Sequence, residues 1–337
     1  LKISFTTVTA NIGTHNGFGV AGYGVSSSLQ RLGHEVPYQD PTAPVEIAFC
    51  QPTYDEWSGK KAYRIQYTPW ESTELPAGWL EGFKKVDEVW TPSPLVAQWY
   101  EDAGVKGVHV YEHGIDPVWF GARHERQRKD GPLNFMHHGE PAFRKGGQEA
   151  LDAFRKVFGD SKDVHLTFKS WGHSRVRAME DVYEHGEPVN VGAPDEVYPN
   201  VSIIRQDVPE ANMISLYSQA DVMVYPGWGE GFGLIPLQGM AAGMPVICTE
   251  AWAPYADLLV PELRLGSTLV DSPWPEVHPG KMFQPDFDQL CEMYEYVYDN
   301  YDEVAQTAYT KSYAVELVYD WDTLTSEAFL PIFKKFS

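Results

Sequence analysis

Long apolar runs, cysteine and positive charge are all scarce in this chain, and each shortage closes off a class of protein. No stretch of eighteen apolar residues occurs in its 337 residues, so the sequence offers no transmembrane helix. It shows no signal-peptide pattern either, and the expectation is a cytoplasmic protein with no integral membrane segment. The three cysteines, Cys50, Cys248 and Cys291, are widely spaced and odd in number. They fit reduced core residues better than a disulfide framework or a metal knot. Lys and Arg total 26 against 47 Asp and Glu, a net charge of -21. That balance disfavours a broad nucleic-acid or anionic-lipid surface, while leaving room for a local basic groove. A GxxxxGK[ST] phosphate loop is also missing.

What remains is an ordinary globular composition, 43% hydrophobic and 22% charged, long enough for two cores. The 11 Trp and 19 Tyr suit stacking on sugars or bases, and equally suit core packing. The most informative stretch begins with the apolar run Val222 to Tyr225, which reads as a buried parallel strand. Pro226-Gly-Trp-Gly-Glu-Gly-Phe-Gly233 follows, and helical spacing resumes from Leu234 to Ala242. Those glycines are not spaced as in a dinucleotide fingerprint. A strand, a glycine-rich turn and a helix still make a platform for an anionic or polyhydroxylated ligand. Glycine lets backbone approach closely, and a helix start offers unpaired N–H groups. Glu230 sits inside that turn, and a carboxylate accepts hydrogen bonds from hydroxyls.

A second such junction lies near the start. A strand over residues 2–8 leads through a glycine-rich loop, Asn11 to Gly24, into helical spacing at Ala21, Val25, Leu29 and Leu32. Strands follow at Val45 to Phe49, Ala62 to Tyr67, Val89 to Trp90 and Gly107 to Tyr111, with a helix from Pro94 to Asp102. Thr68-Pro-Trp-Glu71 closes one strand, where open α/β folds put their sites. Glu71 there reads as a substrate ligand or general base, or equally as a helix-entry cap or surface acid. Residues 121–132 are polar and bounded by Gly and Pro, a linker. Strands then recur at Leu133 to Met136, Val164 to Phe168, Val201 to Ile204 and Pro245 to Cys248, separated by helical stretches. Residues 172–199 read as a lid, an acceptor loop or a surface insertion. The final segments, Leu290 to Tyr301 and Thr307 to Phe333, read as helices broken near Asp320. The expected architecture is α/β: two doubly wound halves joined by a linker.

The set Gly17-Phe-Gly19, Gly33-His-Glu-Val36, Val86-Asp-Glu-Val-Trp-Thr-Pro-Ser93, His113-Gly-Ile-Asp116, Lys145-Gly146, Glu230-Gly-Phe-Gly233 and Met240-Ala-Ala-Gly-Met-Pro-Val246 resembles the family 4 retaining glycosyltransferases over nearly the whole chain. The resemblance implies the GT-B fold, two Rossmann-like doubly wound domains facing across a cleft. It puts an N-terminal domain, the acceptor side, at 1–120 and the linker at 121–132. A nucleotide-sugar domain spans 133–306, and the C-terminal helices at 307–337 cross back to the first domain.

It further implies transfer of a hexose from a nucleotide-sugar donor, UDP- or GDP-linked, with retention and without a required metal or other cofactor. Glu230 falls on the first carboxylate of the family's spaced pair, near the donor sugar, while Gln238 replaces the second, which usually accepts from ribose hydroxyls. Lys145 matches the phosphate-binding lysine, whereas Glu140 stands where the family carries Arg; Arg144 is the natural compensator. Gly17, Phe18 and Gly19 would contribute loop amides, and Gly231, Phe232, Gly233 and Leu234 the donor platform. Thr68 and Glu71 lie at a sugar- or acceptor-side turn. His113 is a cleft ligand or a satisfied structural histidine, and Lys169 a phosphate contact or a surface lysine. The acceptor stays open among glycan, small molecule, protein and modified nucleobase, with modified DNA disfavoured by charge. Monomer and homodimer both remain open. The competing reading is a non-catalytic sugar- or nucleotide-binding protein, favoured by Glu140 and Gln238. A third is a phosphorylase or epimerase on the same scaffold.

Overall fold

A computed structural model describes residues 1–7, 17–53, 57–58, 61–140, 142–169, 198–204 and 210–336. The first part of the N-terminal glycine-rich loop and nearly all of 172–199 therefore lie outside the described residues. Two compact units are present. Unit 1 comprises Leu1–Asp116, Asp271–Met282 and Val318–Ser337; unit 2 comprises Pro117–Val270 and Phe283–Leu317.

Unit 1 is built on a five-stranded parallel sheet. Its strands are β1 (Ile3–Thr7), β2 (Val45–Phe49), β3 (Tyr63–Tyr67), β4 (Glu88–Thr91) and β5 (Val108–Val110), paired in that order. Residues 35–38 add bridges on the free side of β1, Lys2 to Glu35 and Phe5 to Tyr38. The chain thus leaves β1 on one side and returns as β2 on the other, a switch point. Helix α1 (Gly17–Arg31) follows β1, α2 (Trp79–Phe83) and α3 (Pro94–Asp102) lie further along, and α10 (Trp321–Phe336) closes the chain. Gly17, Gly19 and Gly22 of α1 do stand at GxGxxG spacing, inside the helix rather than ahead of it. At Gly22 a Cβ would meet Phe5 at 3.5 Å, an ordinary van der Waals contact.

Helix α10 is held to α1 by shape and charge. A Cβ on Gly24 would lie 2.2 Å from the Trp321 ring, so only glycine admits that contact. Arg31 grips Asp322 through Nε and Nη2 at 2.9 and 2.7 Å, and the Ser28 hydroxyl donates to the same carboxylate at 2.7 Å.

Unit 2 holds a six-stranded parallel sheet ordered β11-β10-β9-β6-β7-β8. These are β6 (Leu133–His138), β7 (Val164–Lys169), β8 (Val201–Ile204), β9 (Val222–Tyr225), β10 (Val246–Thr249) and β11 (Arg264–Leu265). Its switch point lies between β6 and β9, which pair through Phe135 to Val222 and Met136 to Met223. The helices are α4 (Pro117–Gly121), α5 (Gly147–Phe158), α6 (Glu210–Gln219), α7 (Leu234–Ala241), α8 (Phe287–Asp299) and α9 (Tyr301–Val318, its last residue in unit 1). Ala150, Leu151 and Phe154 form the apolar stripe of α5. Phe154 meets Phe135 and Tyr294 in the main core, where all three are fully buried. Phe135→Ala there costs about 3–5 kcal/mol. A two-stranded sheet, β12 (Ser267–Asp271) with β13 (Lys281–Pro285), completes the chain.

The short helices α2 and α4 and the strands β11 to β13 are not legible as periodic patterns. Five residues carry little more than one helical turn, and β12 is mostly solvent-exposed, without apolar alternation. Within 121–132, Arg126 is only 4% exposed. Its guanidinium donates to the carbonyls of Tyr217, Ala220 and Ala242 at the ends of α6 and α7, where partial negative charge collects. All three cysteines are buried, and none forms a disulfide among the described residues. No helix among the described residues is long and apolar enough to cross a membrane.

Candidate functional site

In unit 2 the two junctions flanking the switch point are β6 into α5 and β9 into α7. The first turns through a short 3-10 segment, Phe143–Lys145, and Gly146. Gly146 has a φ of 71°, and a Cβ there would lie 1.9 Å from the Pro226 carbonyl oxygen, so glycine permits the two turns to touch. The second turn is clamped by aromatics: Trp252 Nε1 donates to Gly227 O at 2.7 Å and the Tyr255 hydroxyl to Gly233 O at 2.6 Å. Gly233, with a φ of 87°, then opens α7.

These constraints bring Lys145, Arg144 and Glu230 together. Lys145 Nζ lies 2.6 Å and Arg144 Nη1 3.0 Å from Glu230 Oε1. The Tyr225 hydroxyl donates to the same oxygen at 2.6 Å. Burial alone pushes the Glu230 carboxyl up, but the charges of Lys145 and Arg144 outweigh it and hold the group down at about 2. Glu230 is therefore ionised across the physiological range. Arg144 Nη2 also donates to Glu140 at 3.1 Å, so Glu140 engages the cation that would compensate for it. Lys169 closes β7 and is 5% exposed, buried rather than on the surface. Gln238 is 8% exposed on α7; Gly231 and Phe232 are buried beside Glu230 in sequence, and Leu234 is half-buried.

Four neighbours of these groups carry no charge or glycine signature in the sequence. His137 carries a ring N–H that donates to Val224 O at 2.9 Å, and burial pulls its pKa down to about 4. Tyr225, Trp252 and Tyr255 are all fully buried. The available signal was a phenol ending an otherwise aliphatic strand, and two aromatics at the end of the next.

The remaining sequence-predicted residues lie in unit 1 and form two groups. Phe18, in the first turn of α1 between Gly17 and Gly19, sits 5.0 Å from the Phe49 ring. Phe49 stacks on Tyr67 at 4.7 Å, and His113 meets both edge-on. Burial pulls the His113 pKa down to about 3, so the imidazole is neutral at pH 7. Thr68 is fully buried, and its hydroxyl donates to Cys50 O at 2.7 Å. Glu71 stands apart from these, 3.9 Å from His278 Nδ1. Its turn is tied to the 271–282 segment by Thr73 N to Lys281 O at 3.1 Å and Lys281 N to Thr73 Oγ1 at 2.8 Å.

Among the described residues, no group of three or more His, Cys, Asp or Glu could hold a metal ion. The donor set at the unit 2 site is instead two cations and a phenol around one carboxylate, an arrangement suited to a phosphate beside a hydroxylated group.

A family model described as glycosyl transferases group 1 matches residues 134–264, the part of unit 2 that holds this site. A putative glycosyltransferase 45 from Sulfolobus islandicus filamentous virus is 20% identical over 269 residues, 72% of this chain and 68% of that one. An O-antigen chain mannosyltransferase B from Escherichia coli is 45% identical over 43 residues, 13% of this chain and only 11% of that relative. Among solved structures, sucrose-phosphate synthase from Thermosynechococcus elongatus superposes with a TM-score of 0.72 at 14% identity, covering 99% of both chains. The chain therefore has the GT-B fold of two Rossmann-like domains, and its second unit is similar to the glycosyl transferases of group 1.

Proposed function

We propose that this chain is a retaining, metal-independent glycosyltransferase that moves a hexose from a UDP- or GDP-hexose to an acceptor hydroxyl. The observation that carries the reading is the meeting of Lys145, Arg144 and Glu230 at the switch point of the unit 2 sheet. Breaking the anomeric C–O bond leaves cationic character on the sugar and negative charge on the departing diphosphate. Lys145 and Arg144 stabilise that charge, with backbone amides of the glycine-rich turns beside them. Glu230 orients the sugar through its hydroxyls, and Gln238 accepts from the ribose. The acceptor oxygen attacks the face the diphosphate leaves, and a leaving-phosphate oxygen takes its proton, so no side-chain nucleophile is assigned. The Gly17 to Gly19 loop amides are assigned to the departing charge as well, the Thr68 to Glu71 turn and His113 to the sugar or acceptor side, and Lys169 to the phosphate.

The Glu140–Arg144 pair favours a second reading, a binding protein without turnover, because it holds back part of the positive charge a diphosphate needs. Product formation separates the two. UDP-, GDP- and ADP-hexoses are incubated with and without chelator, and released nucleoside diphosphate is read by mass spectrometry. Release by the wild type that chelator leaves unchanged, and that Glu230→Ala and Lys145→Ala reduce severely, is the expected result. Release undiminished in both variants would overturn the site. Tight donor binding without release, persisting across an acceptor screen, would favour the binding protein.

A further inference from the structure

We propose that Tyr225 is a positioning residue that fixes Glu230 so that its second oxygen, Oε2, accepts a hydrogen bond from a hydroxyl of the hexose. The inference rests on the donor-sugar reading of Glu230 and extends it to a residue outside the assigned site.

The two oxygens of Glu230 are not equivalent. Lys145 Nζ, Arg144 Nη1 and the Tyr225 hydroxyl all converge on Oε1, at 2.6, 3.0 and 2.6 Å. A carboxylate offers about four acceptor positions over its two oxygens. Three donors on one oxygen fill its share, and among the described residues no donor reaches Oε2. Glu230 is only 7% exposed, yet Oε2 is not among the buried atoms that lack a partner, so it opens onto space a ligand group can enter and donate to. A hydroxyl is the group that suits that place, because it donates and carries no charge to offset the two cations.

Tyr225 has the features a positioning group needs. It is fully buried, ends β9, and its ring is stacked on His137 at 5.7 Å and meets Trp252 at 74° and 6.0 Å. The register of β9 with β10, Tyr225 opposite Cys248, fixes its backbone. The lysine and arginine reach Glu230 on long flexible chains, whereas a packed phenol has one place to put its oxygen. Burial also raises its pKa well above the usual value, so it stays a donor. The cations thus set the charge of Glu230, and the phenol sets its direction.

The test compares binding of UDP-, GDP- and ADP-glucose with binding of UDP, GDP and ADP by titration calorimetry. Wild type, Tyr225→Phe, Glu230→Gln and the double variant are used. The quantity read is the sugar increment, the ratio of nucleoside diphosphate Kd to nucleotide-glucose Kd for the preferred base. Tyr225→Phe is expected to cut that increment about fivefold. The nucleoside diphosphate Kd should stay within about twofold, because phosphate contacts are untouched. In the Glu230→Gln background the same change should have no further effect on the increment, since the phenol acts only through that carboxylate. Equal weakening of both ligand types, or an unchanged increment, would reduce Tyr225 to a packing residue and overturn the proposal. If the wild type binds the diphosphates but shows no sugar increment, the donor-sugar reading of Glu230 fails first and takes this role with it. Binding of neither ligand type by the wild type sinks the nucleotide-sugar reading as a whole.

Discussion

The two units use one architecture for opposite chemistry. Each is a parallel sheet whose strand order switches sides, and each gathers its sequence-predicted residues near strand ends beside that switch. In unit 2 the gathered groups are ionic: Lys145 and Arg144 lie within 3.0 Å of a carboxylate held down at about 2. In unit 1 Phe18 and His113 join Phe49 and Tyr67 in an aromatic, neutral cluster, where burial has lowered the His113 pKa to about 3, while Glu71 stands apart beside His278. A fold alone therefore does not assign chemistry. On the proposed function, the ionic junction brings charged side chains to the leaving diphosphate, whereas the neutral one offers it only backbone amides.

Breaking that division should be most visible in catalysis. Lys145→Ala removes a cation at the leaving group and is expected to slow diphosphate release by about 10²–10³-fold. Phe18→Leu, in the neutral junction, should slow it by less than about tenfold, since it removes packing area rather than charge. Single-turnover release, measured side by side, decides the point. Equal losses would erase the difference between the units.

The second contrast is in stability. Gly24→Ala drives a Cβ into the Trp321 ring, which cannot shift without lifting α10 from α1. Overpacking of this kind costs about 1–3 kcal/mol. Hydrogen exchange should show the loss within unit 1, at α1 and α10, with the unit 2 core unchanged. Loss of protection spread evenly through both units would show that they unfold as one.

Much of unit 2 was legible because its signals are local. Val222 to Tyr225, the glycines after it and the helical spacing from Leu234 name strand, turn and helix within twenty residues. Glu230 and Lys145 announce themselves as charges inside glycine-rich turns. Tyr225 does not, because a tyrosine ending an apolar strand reads as core until its oxygen is seen on Glu230. The tie between Thr73 and Lys281 joins positions 208 residues apart, and no periodicity encodes such a contact. Thr68 shows the converse: it stands at a strand end where a ligand residue is expected, yet its hydroxyl is spent on Cys50 O.

Acid should separate the units by a smaller margin. His113 in unit 1 and His137 in unit 2 are buried and His138 in unit 2 is half-buried, and desolvation lowers their pKa values to about 3, 4 and 3. Each takes up a proton on unfolding once pH falls below 6.5, the ordinary histidine value, while the folded imidazole stays neutral. The unfolded state then binds more protons, so stability falls with falling pH, by at most about 1.4 kcal/mol per pH unit per histidine. The window runs from 6.5 down to about 4 for His137 and to about 3 for His113 and His138, where each folded imidazole is itself half protonated. Glu230 adds to the loss only below its ordinary value of 4.5, as pH falls toward about 2. Between pH 6.5 and 5 the melting temperature should therefore drop, and His138→Gln should flatten the slope. An unchanged slope in that variant would mean that folded His138 binds its proton as the unfolded chain does.

The finest contrast uses two buried phenols. Tyr111 in unit 1 shares a hydrogen bond of 2.6 Å with Thr325 Oγ1, and Tyr255 in unit 2 donates at 2.6 Å to Gly233 O. Replacing either by Phe removes one hydrogen bond at nearly constant volume and should cost about 1 kcal/mol in a urea titration. The energies match, but the consequences should not. Gly233 opens α7, the helix that carries Gln238, and it ends the turn that holds Glu230. Loosening it disturbs the placement of both groups, so Tyr255→Phe is expected to raise the KM for the sugar nucleotide by about two- to fivefold. Tyr111 fastens α10 within unit 1, so Tyr111→Phe should leave KM unchanged. A KM shift of equal size in both variants would mean that overall stability, rather than the geometry of the glycine turn, governs donor binding.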